Sequence, residues 1–548
     1  MTSLFYPLAI IFAHSLQAGT VRPGDIAEAI RLRVELTRSV EPAGISGEVI
    51  YATAALPMFY ELRNFSPAWM DSDGQKASVG KMTQAIIGAW QEGLDPNDYH
   101  LQKIFSVQRS LRVAPGNAVS RADKLAELDI LLTDAYLLYA SHLHTGKVNP
   151  ETISADWKWE KRNATMPLEG HLEDALKSGM IKESLWALAP RQPEYIRLKS
   201  ALAELRALQR EGGWNSVTPG GKLEEGMTGF RVEELRVRLE AGNYLVRSEE
   251  YRDQFDAGLK VALQAFQAGN GLNPDGVAGA GTIEAMNMTI EQRIGQIKVN
   301  MERWRWLPAD LGMRYIRVNI ANFGLEVFEG AELVFRSKAI VGRTYRKTPL
   351  MSATLTHIIF NPFWTIPPNI LRNDIVQEAK KDSNYLISKR IRVTDQAGNF
   401  VDAKAIDWPT YAAGQFTFRQ DPGSDNSLGS VKFVFPNRYN VYIHDTPVRN
   451  LFEKDQRALS SGCIRIQDPM GFAEYLLYGQ GDWDRARIEH TIASDNRPIA
   501  VILERPIPVH FLYFTALGQE GHDIQFRKDV YGLDKAVATA LDARPPSL

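Results

Sequence analysis

At 548 residues the chain is several times the usual domain size, which predicts two to four domains and ample capacity to bury a core. An apolar share of 44%, a charged share of 23% and a formal net charge of −2 with mixed signs describe a folded globular protein, and they exclude the clustered basic face that nucleic acid requires. The single cysteine rules out an intramolecular disulfide. By composition alone it reads as a small buried hydrophobe, so its neighbours must decide whether it is reactive.

Residues 1–13 form an apolar run too short to cross a bilayer, followed by Ala18 and a polar stretch. The run predicts an export signal over 1–18 and hence a periplasmic protein. The signal is atypical because no Lys or Arg precedes it, and a buried N-terminal strand or helix is the other reading. Residues 25–215 carry helical spacing, with Leu125, Leu128, Leu132, Ala135 and Tyr139 on one stripe, and predict a mostly helical scaffold domain. His142, His144, Trp157 and Trp159 lack metal-ligand spacing and read as packing and surface residues.

The turn-rich stretch 212–221 is a linker, and a compact domain follows over 225–290. Its stripes are Val232, Leu235 and Leu239, then Leu259, Leu263 and Phe266. Thr282 is expected to cap a last short helix. The pattern of Phe255, Asp256, Phe266, Gln267, Gly271, Leu272, Asp275, Gly276, Val277, Gly279 and Thr282 resembles the small three-helix peptidoglycan-binding domain, a bare helical spacer being the alternative.

From residue 300 the period falls to two: Ile316, Val318 and Ile320 alternate with Arg317 and Asn319, and Leu333 and Phe335 resume after the turn at Glu329 and Gly330. Further β runs at 355–360, 431–435, 441–444 and 498–503 predict a β-rich, sandwich-like domain over 300–510. Residues 369–429 turn helical and then Gly/Asp/Ser-rich, as expected of a capping insertion or lid. Residues 511–548 form a C-terminal extension, and the whole reads as an α+β multidomain chain.

The chemistry concentrates late. His444 ends a strand, and Cys463 follows a Ser460-Ser461-Gly462 turn nineteen residues later, a separation that lets one side chain fold back on the other. A thiol needs such a neighbour, because imidazole or convergent N–H donors raise the thiolate fraction that attacks a carbonyl. Gly462 permits a sharp turn and lets the N–H groups of Gly462 and Cys463 aim at a developing oxyanion. The hydroxyls of Ser460, Ser461 and Tyr442 are further donors. The backbone carbonyl of Asp445, rather than its carboxylate, is expected to hold His444 Nδ1–H, since successive strand side chains point to opposite faces. His490, His510 and His522 show no ligand spacing, so neither metal nor cofactor is implied.

His444, fifteen intervening residues, then Ser460-Ser461-Gly462-Cys463-Ile464-Arg465 resembles the L,D-transpeptidases with a YkuD-type catalytic domain. Ser461 departs from the pattern, standing where shorter members carry a second histidine. The stretches 342–349, 361–367, 511–515 and 526–531, with 56–60, 67–69 and 93–96 upstream, are similar to the long form with a scaffold and a peptidoglycan-binding domain.

The resemblance implies a cysteine-dependent acyl transfer. Cys463 attacks the carbonyl between the third and fourth residues of a tetrapeptide stem and releases D-alanine. A diaminopimelate amine then takes the thioester to give a 3→3 crosslink. It also implies carbapenem β-lactams as covalent inhibitors and other cell-wall synthesis proteins as partners. Arg465 pairs either with a stem carboxylate or in a structural salt bridge. Tyr442 and Trp364 line the cleft, though core packing accounts for Trp364 equally. L,D-carboxypeptidase action, wall-protein attachment by the same chemistry, and a non-catalytic peptidoglycan-binding scaffold remain the alternatives.

Overall fold

The computed structural model describes residues 21–548 apart from 38–43, 72–73, 114–117, 155–156, 158–165, 409–413, 495–496 and 519–523. The expected export segment 1–18, Trp159 and His522 lie outside the described residues. Two compact units divide the chain: one holds residues 1–147, 163–190 and 542–548, the other 148–162 and 191–541. Among the described residues no helix is long and apolar enough to cross a membrane.

The first unit is helical around α1 (Ala118–Thr145), whose residues from Leu128 to Ala140 are all buried. The predicted stripe is therefore only part of what it buries, which identifies a central helix. Two carboxylates inside it are satisfied by backbone: Asp129 accepts from the N–H groups of Ala68, Trp69 and Met70, and Asp134 from those of Tyr51 and Ala52. His142 is buried with Nδ1 3.0 Å from the Tyr99 hydroxyl, a packing role.

From residue 191 the second unit runs through α2 (Pro193–Arg210) into three short helices, α3 (Phe230–Ala241), α4 (Ala257–Gly269) and α5 (Ala280–Met286). These three share one core of Val232, Leu235, Leu239, Leu259, Leu263 and Phe266, with Phe255 and Met286. Asp256 caps α4 through Leu259 N–H at 2.7 Å. Gln267 closes the following turn, donating to Asp275 Oδ1 at 2.8 Å and accepting from Gly276 N–H at 2.9 Å. Thr282 does not cap α5: Gly279 holds that position, and the Thr282 hydroxyl lies buried within the helix, 3.2 Å from Gln267 Nε2. A long helix, α6 (Ile290–Trp306), opens on a capping box of Thr289 and Gln292 and leads into the β domain.

That domain is one curled sheet. Its strands are β1 (Arg314–Asn319), β2 (Gly324–Glu329), β3 (Glu332–Gly342), β4 (Met351–Phe360), β9 (Val431–Val434), β10 (Ile443–His444), β11 (Ala458–Ser460), β12 (Ile464–Ile466) and β13 (Ile499–Leu512). The strand order is β11-β3-β12-β10-β9-β4-β13-β1-β2, and β2 pairs again with β3, so the ladder returns on itself. The sandwich-like character thus arises from a single sheet closing through the long strand β3. Inside lie Ile316, Leu325, Ile358, Phe433, Ile443, Ile464 and, from helix α7 (Pro469–Leu477), Phe472 and Leu476.

The insertion makes its own small layer. Strands β5 (Trp364–Thr365), β6 (Ile391–Thr394), β7 (Phe400–Val401) and β8 (Thr417–Gln420) form a sheet in the order β7-β6-β8-β5. Trp364, Leu371, Ile375, Leu386, Val393 and Phe418 give it a separate core, so the cap begins at Trp364, ahead of the expected residue 369.

Candidate active site

Side-chain alternation decides which groups meet. β10 runs parallel to β12, with Ile443 opposite Ile464 and His444 opposite Arg465. Ile443 and Ile464 are fully buried in the core beneath the sheet. Tyr442, His444, Cys463 and Arg465 therefore project from the opposite face, and Tyr442 packs against the apolar cluster of the cap.

Cys463 is partly exposed. Its sulfur is addressed by Tyr442 through both the backbone N–H and the hydroxyl, and Trp364 in turn donates to that hydroxyl. Burial pushes the Cys463 thiol up from its ordinary range, with the Tyr442 bonds and the charges of Lys432 and Arg465 acting against it. Tyr442 is held well above its usual value by burial, followed by the nearness of Cys463, so it stays a donor.

His444 is 3% exposed, and its Nδ1 lies 2.5 Å from the carbonyl of Asp445. Burial, then the Arg465 charge, push it down to about 3, with the carbonyls of Asp445 and Leu428 acting the other way. The ring is therefore neutral at ordinary pH. Its rim meets the Tyr442 ring edge-on, with centroids 5.6 Å apart. No hydrogen bond joins imidazole and sulfur among the described residues: the ring bonds to the Asp445 carbonyl, while the sulfur faces the Asn440 carbonyl at 4.0 Å and Tyr442.

Two expectations for the turn are corrected. Gly462 N–H does not point to an oxyanion, because it donates to Ser460 Oγ at 3.1 Å. Ser460 is not a substrate contact: it is 2% exposed, and its hydroxyl donates to the Cys463 carbonyl at 2.6 Å, holding the turn closed. Gly462 is nonetheless required by conformation, its φ of +119° lying where a Cβ is strained. Cys463 N–H makes no hydrogen bond to the described residues, which leaves it as the backbone donor beside the sulfur. Ser461 accepts from Arg346 at 2.9 Å. Arg465 forms no ion pair among the described residues, and its Nε is buried without a partner.

Several participants escaped sequence reasoning. Lys432 lies opposite His444 on β9, with Nζ 3.9 Å from the Tyr442 ring centre, and burial lowers its pKa. The loop after β3 braces the Ser460–Cys463 turn: Thr348 Oγ1 donates to the Gly462 carbonyl at 2.8 Å, and Arg343 N–H donates to the Ser460 carbonyl at 3.0 Å. Arg346 also pairs with Asp374 of the cap at 2.7 Å, tying turn to insertion. Tyr531, from the C-terminal extension, donates to the Gly342 carbonyl at 2.6 Å. In sequence, only the stretches 342–349 and 526–531, which resemble the long form, signalled any of this. Among the described residues no group of His, Cys, Asp and Glu could hold a metal.

Three family models match: a scaffold domain over 54–202, a domain described as "Putative peptidoglycan binding domain" over 228–286, and an L,D-transpeptidase catalytic domain, YkuD, over 313–488. A protein of Haemophilus influenzae described as "Putative L,D-transpeptidase" is 31% identical over 318 residues, covering 56% of this chain and 64% of that protein, so the match spans less than two thirds of the relative. A solved L,D-transpeptidase from Xylanimonas cellulosilytica is 12% identical, covering 54% of this chain and 98% of that one at a TM-score of 0.16. One from Stackebrandtia nassauensis is 11% identical, covering 54% and 97% at 0.21. By these family models, residues 313–488 form an L,D-transpeptidase catalytic domain of the YkuD type, preceded by a scaffold domain and a peptidoglycan-binding domain.

Proposed function

We propose that the chain forms 3→3 peptidoglycan crosslinks through a thioester on Cys463, in the periplasm. In the first half-reaction the Cys463 proton passes to His444, and sulfur attacks the carbonyl carbon joining diaminopimelate to the terminal D-alanine of a tetrapeptide stem. The C–N bond breaks, the proton goes to the departing amine, and D-alanine leaves. In the second, a diaminopimelate side-chain amine of another stem attacks the thioester. The C–S bond breaks, and sulfur recovers a proton.

The observation that carries this reading is a partly exposed thiol with Tyr442, His444, Arg465 and Lys432 on one sheet face, beside a cap. Burial keeps thiol and imidazole neutral at rest, so His444 acts as a general base rather than as half of a standing ion pair. Because no hydrogen bond joins thiol and ring, the proton moves either after rotation of the Cys463 side chain or through the Tyr442 hydroxyl. Cys463 N–H is the backbone donor for the tetrahedral oxyanion, and the unpaired Arg465 suits a stem carboxylate. The cap limits water, which a thioester awaiting an amine requires. Carbapenems would acylate the same sulfur. Other wall-synthesis proteins, as partners, would supply stems close by.

Purified chain incubated with a disaccharide-tetrapeptide should release D-alanine and yield a crosslinked dimer by mass spectrometry, and Cys463→Ala should abolish both. Tripeptide without dimer would instead assign a carboxypeptidase. No product from protein whose Cys463 is intact and alkylatable would overturn the proposal.

A further inference from the structure

A cleft of about 600 Å³ opens in the second unit between α2, α3, the start of α6 and the segment around Phe526. None of its lining residues belongs to the nucleophile cluster. Its volume falls within the usual range for small-ligand sites. Two arginines in its wall are almost wholly buried: Arg238 is 4% exposed and Arg293 6%. Arg238 donates Nε to the Met286 carbonyl at 2.9 Å and stacks 4.0 Å over Trp214, and neither Nη bonds to a described residue. Arg293 lies 4.2 Å over Phe526 and bonds only to neutral oxygens, of Gln296, Asn270 and Ala285.

No carboxylate among the described residues pairs with either cation. A buried guanidinium without a counter-charge is costly. Desolvation pushes both down to about 10, and for Arg293 the Arg238 charge adds to it. Yet the cleft is not uniformly basic. Glu204 and Glu211 line it from the α2 side, and neither is tied to a cation among the described residues. Tyr244 and Phe266 add aromatic surface to the lining.

We propose that this cleft binds a zwitterionic peptide, its carboxylate on Arg238 Nη1 and Nη2 with Arg293 behind, its amine toward Glu204 and Glu211, and its aliphatic body on the aromatic wall. The two glutamates select against phosphate or a nucleotide, which would meet them as like charge. Arginine's planar fork suits a carboxylate held in two hydrogen bonds. The cleft would make α3 and its flanking helices a docking point for free peptide ends, separate from the site of acyl transfer.

The test uses full-length Cys463→Ala protein, which forms no acyl-enzyme, titrated calorimetrically with the diaminopimelate-containing stem tetrapeptide. That choice of probe rests on the proposed wall-peptide substrate. The expected isotherm shows two equivalents, and Arg238→Gln in this background weakens one of them about thirtyfold or more. Ser200→Trp, an exposed α2 position on the cleft, should block the same equivalent without touching the core, and so covers the case in which Arg238→Gln misfolds. A peptide amidated at its carboxylates should lose the Arg238-dependent equivalent as well. One equivalent that neither variant weakens, or two unaltered in both variants, overturns the proposal, whereas a single equivalent lost in both variants upholds it. D-alanine release by the unsubstituted chain tests the transfer reaction on its own, so either proposal can fail while the other stands.

Discussion

Tyr442→Phe removes the hydroxyl that bonds the Cys463 sulfur while leaving the ring in its place against the cap. A hydrogen bond to a charged group is worth about 1.5–3 kcal/mol, and 1.36 kcal/mol corresponds to one pKa unit. The loss falls on the thiolate, so the Cys463 pKa should rise by about one to two units above a value that burial has already raised. At pH 7 the thiolate fraction, and with it the iodoacetamide alkylation rate, should drop about 10- to 100-fold. The measurement is the alkylation rate of the full chain against pH, fitted for the thiol pKa. Trp364→Phe serves as a control, because Tyr442→Phe also leaves the Trp364 N–H without its acceptor. If that orphaned donor were the cause, the double variant would recover the parental profile. A Tyr442→Phe midpoint within about 0.3 units of the parent would refute the claim that this hydroxyl, rather than the His444 ring, is the sulfur's immediate partner.

Two further outcomes follow from the same geometry. His444 titrates near 3 in the fold but near 6.5 when unfolded, so the stability gained by keeping it neutral is complete above pH 6.5 and lost as pH falls toward 3, at up to about 1.4 kcal/mol per pH unit. Urea unfolding at pH 7 and pH 4.5 should show that loss in the parent and a smaller one in His444→Gln; equal slopes would count against a buried neutral ring. Gly462→Ala forces a Cβ onto a φ of +119° at a cost of about 1–3 kcal/mol, and by moving the sulfur should depress alkylation and D-alanine release far more than the melting temperature.

The β domain was readable as strands because burial on one face writes itself into the sequence every second residue, as at Ile316, Val318 and Ile320. The peptidoglycan-binding domain was readable because its turn, at Asp275 and Gly276, is closed by Gln267 only a few residues away. Thr282 was misassigned as a cap: its hydroxyl answers to Gln267 in the preceding helix, and a capping residue cannot be told from a buried acceptor by type alone.

The sequence by itself singled out Cys463, the glycine before it and His444 as the candidate site, since these lie within one stretch whose residue types have few other uses together. It also determined the order of the three domains. Which group touches which was decided only by tertiary structure. The parallel register of β10 against β12 sets Cys463 beside Tyr442 and His444 beside Arg465, and Lys432 comes from a third strand. Arg346 and Tyr531 come from loops more than a hundred and about seventy residues away along the chain. Burial raises the thiol, and burial holds the two arginines of the cleft out of water. Burial depends on how the sheet curls and how the helices stack, and no local pattern of residues encodes that.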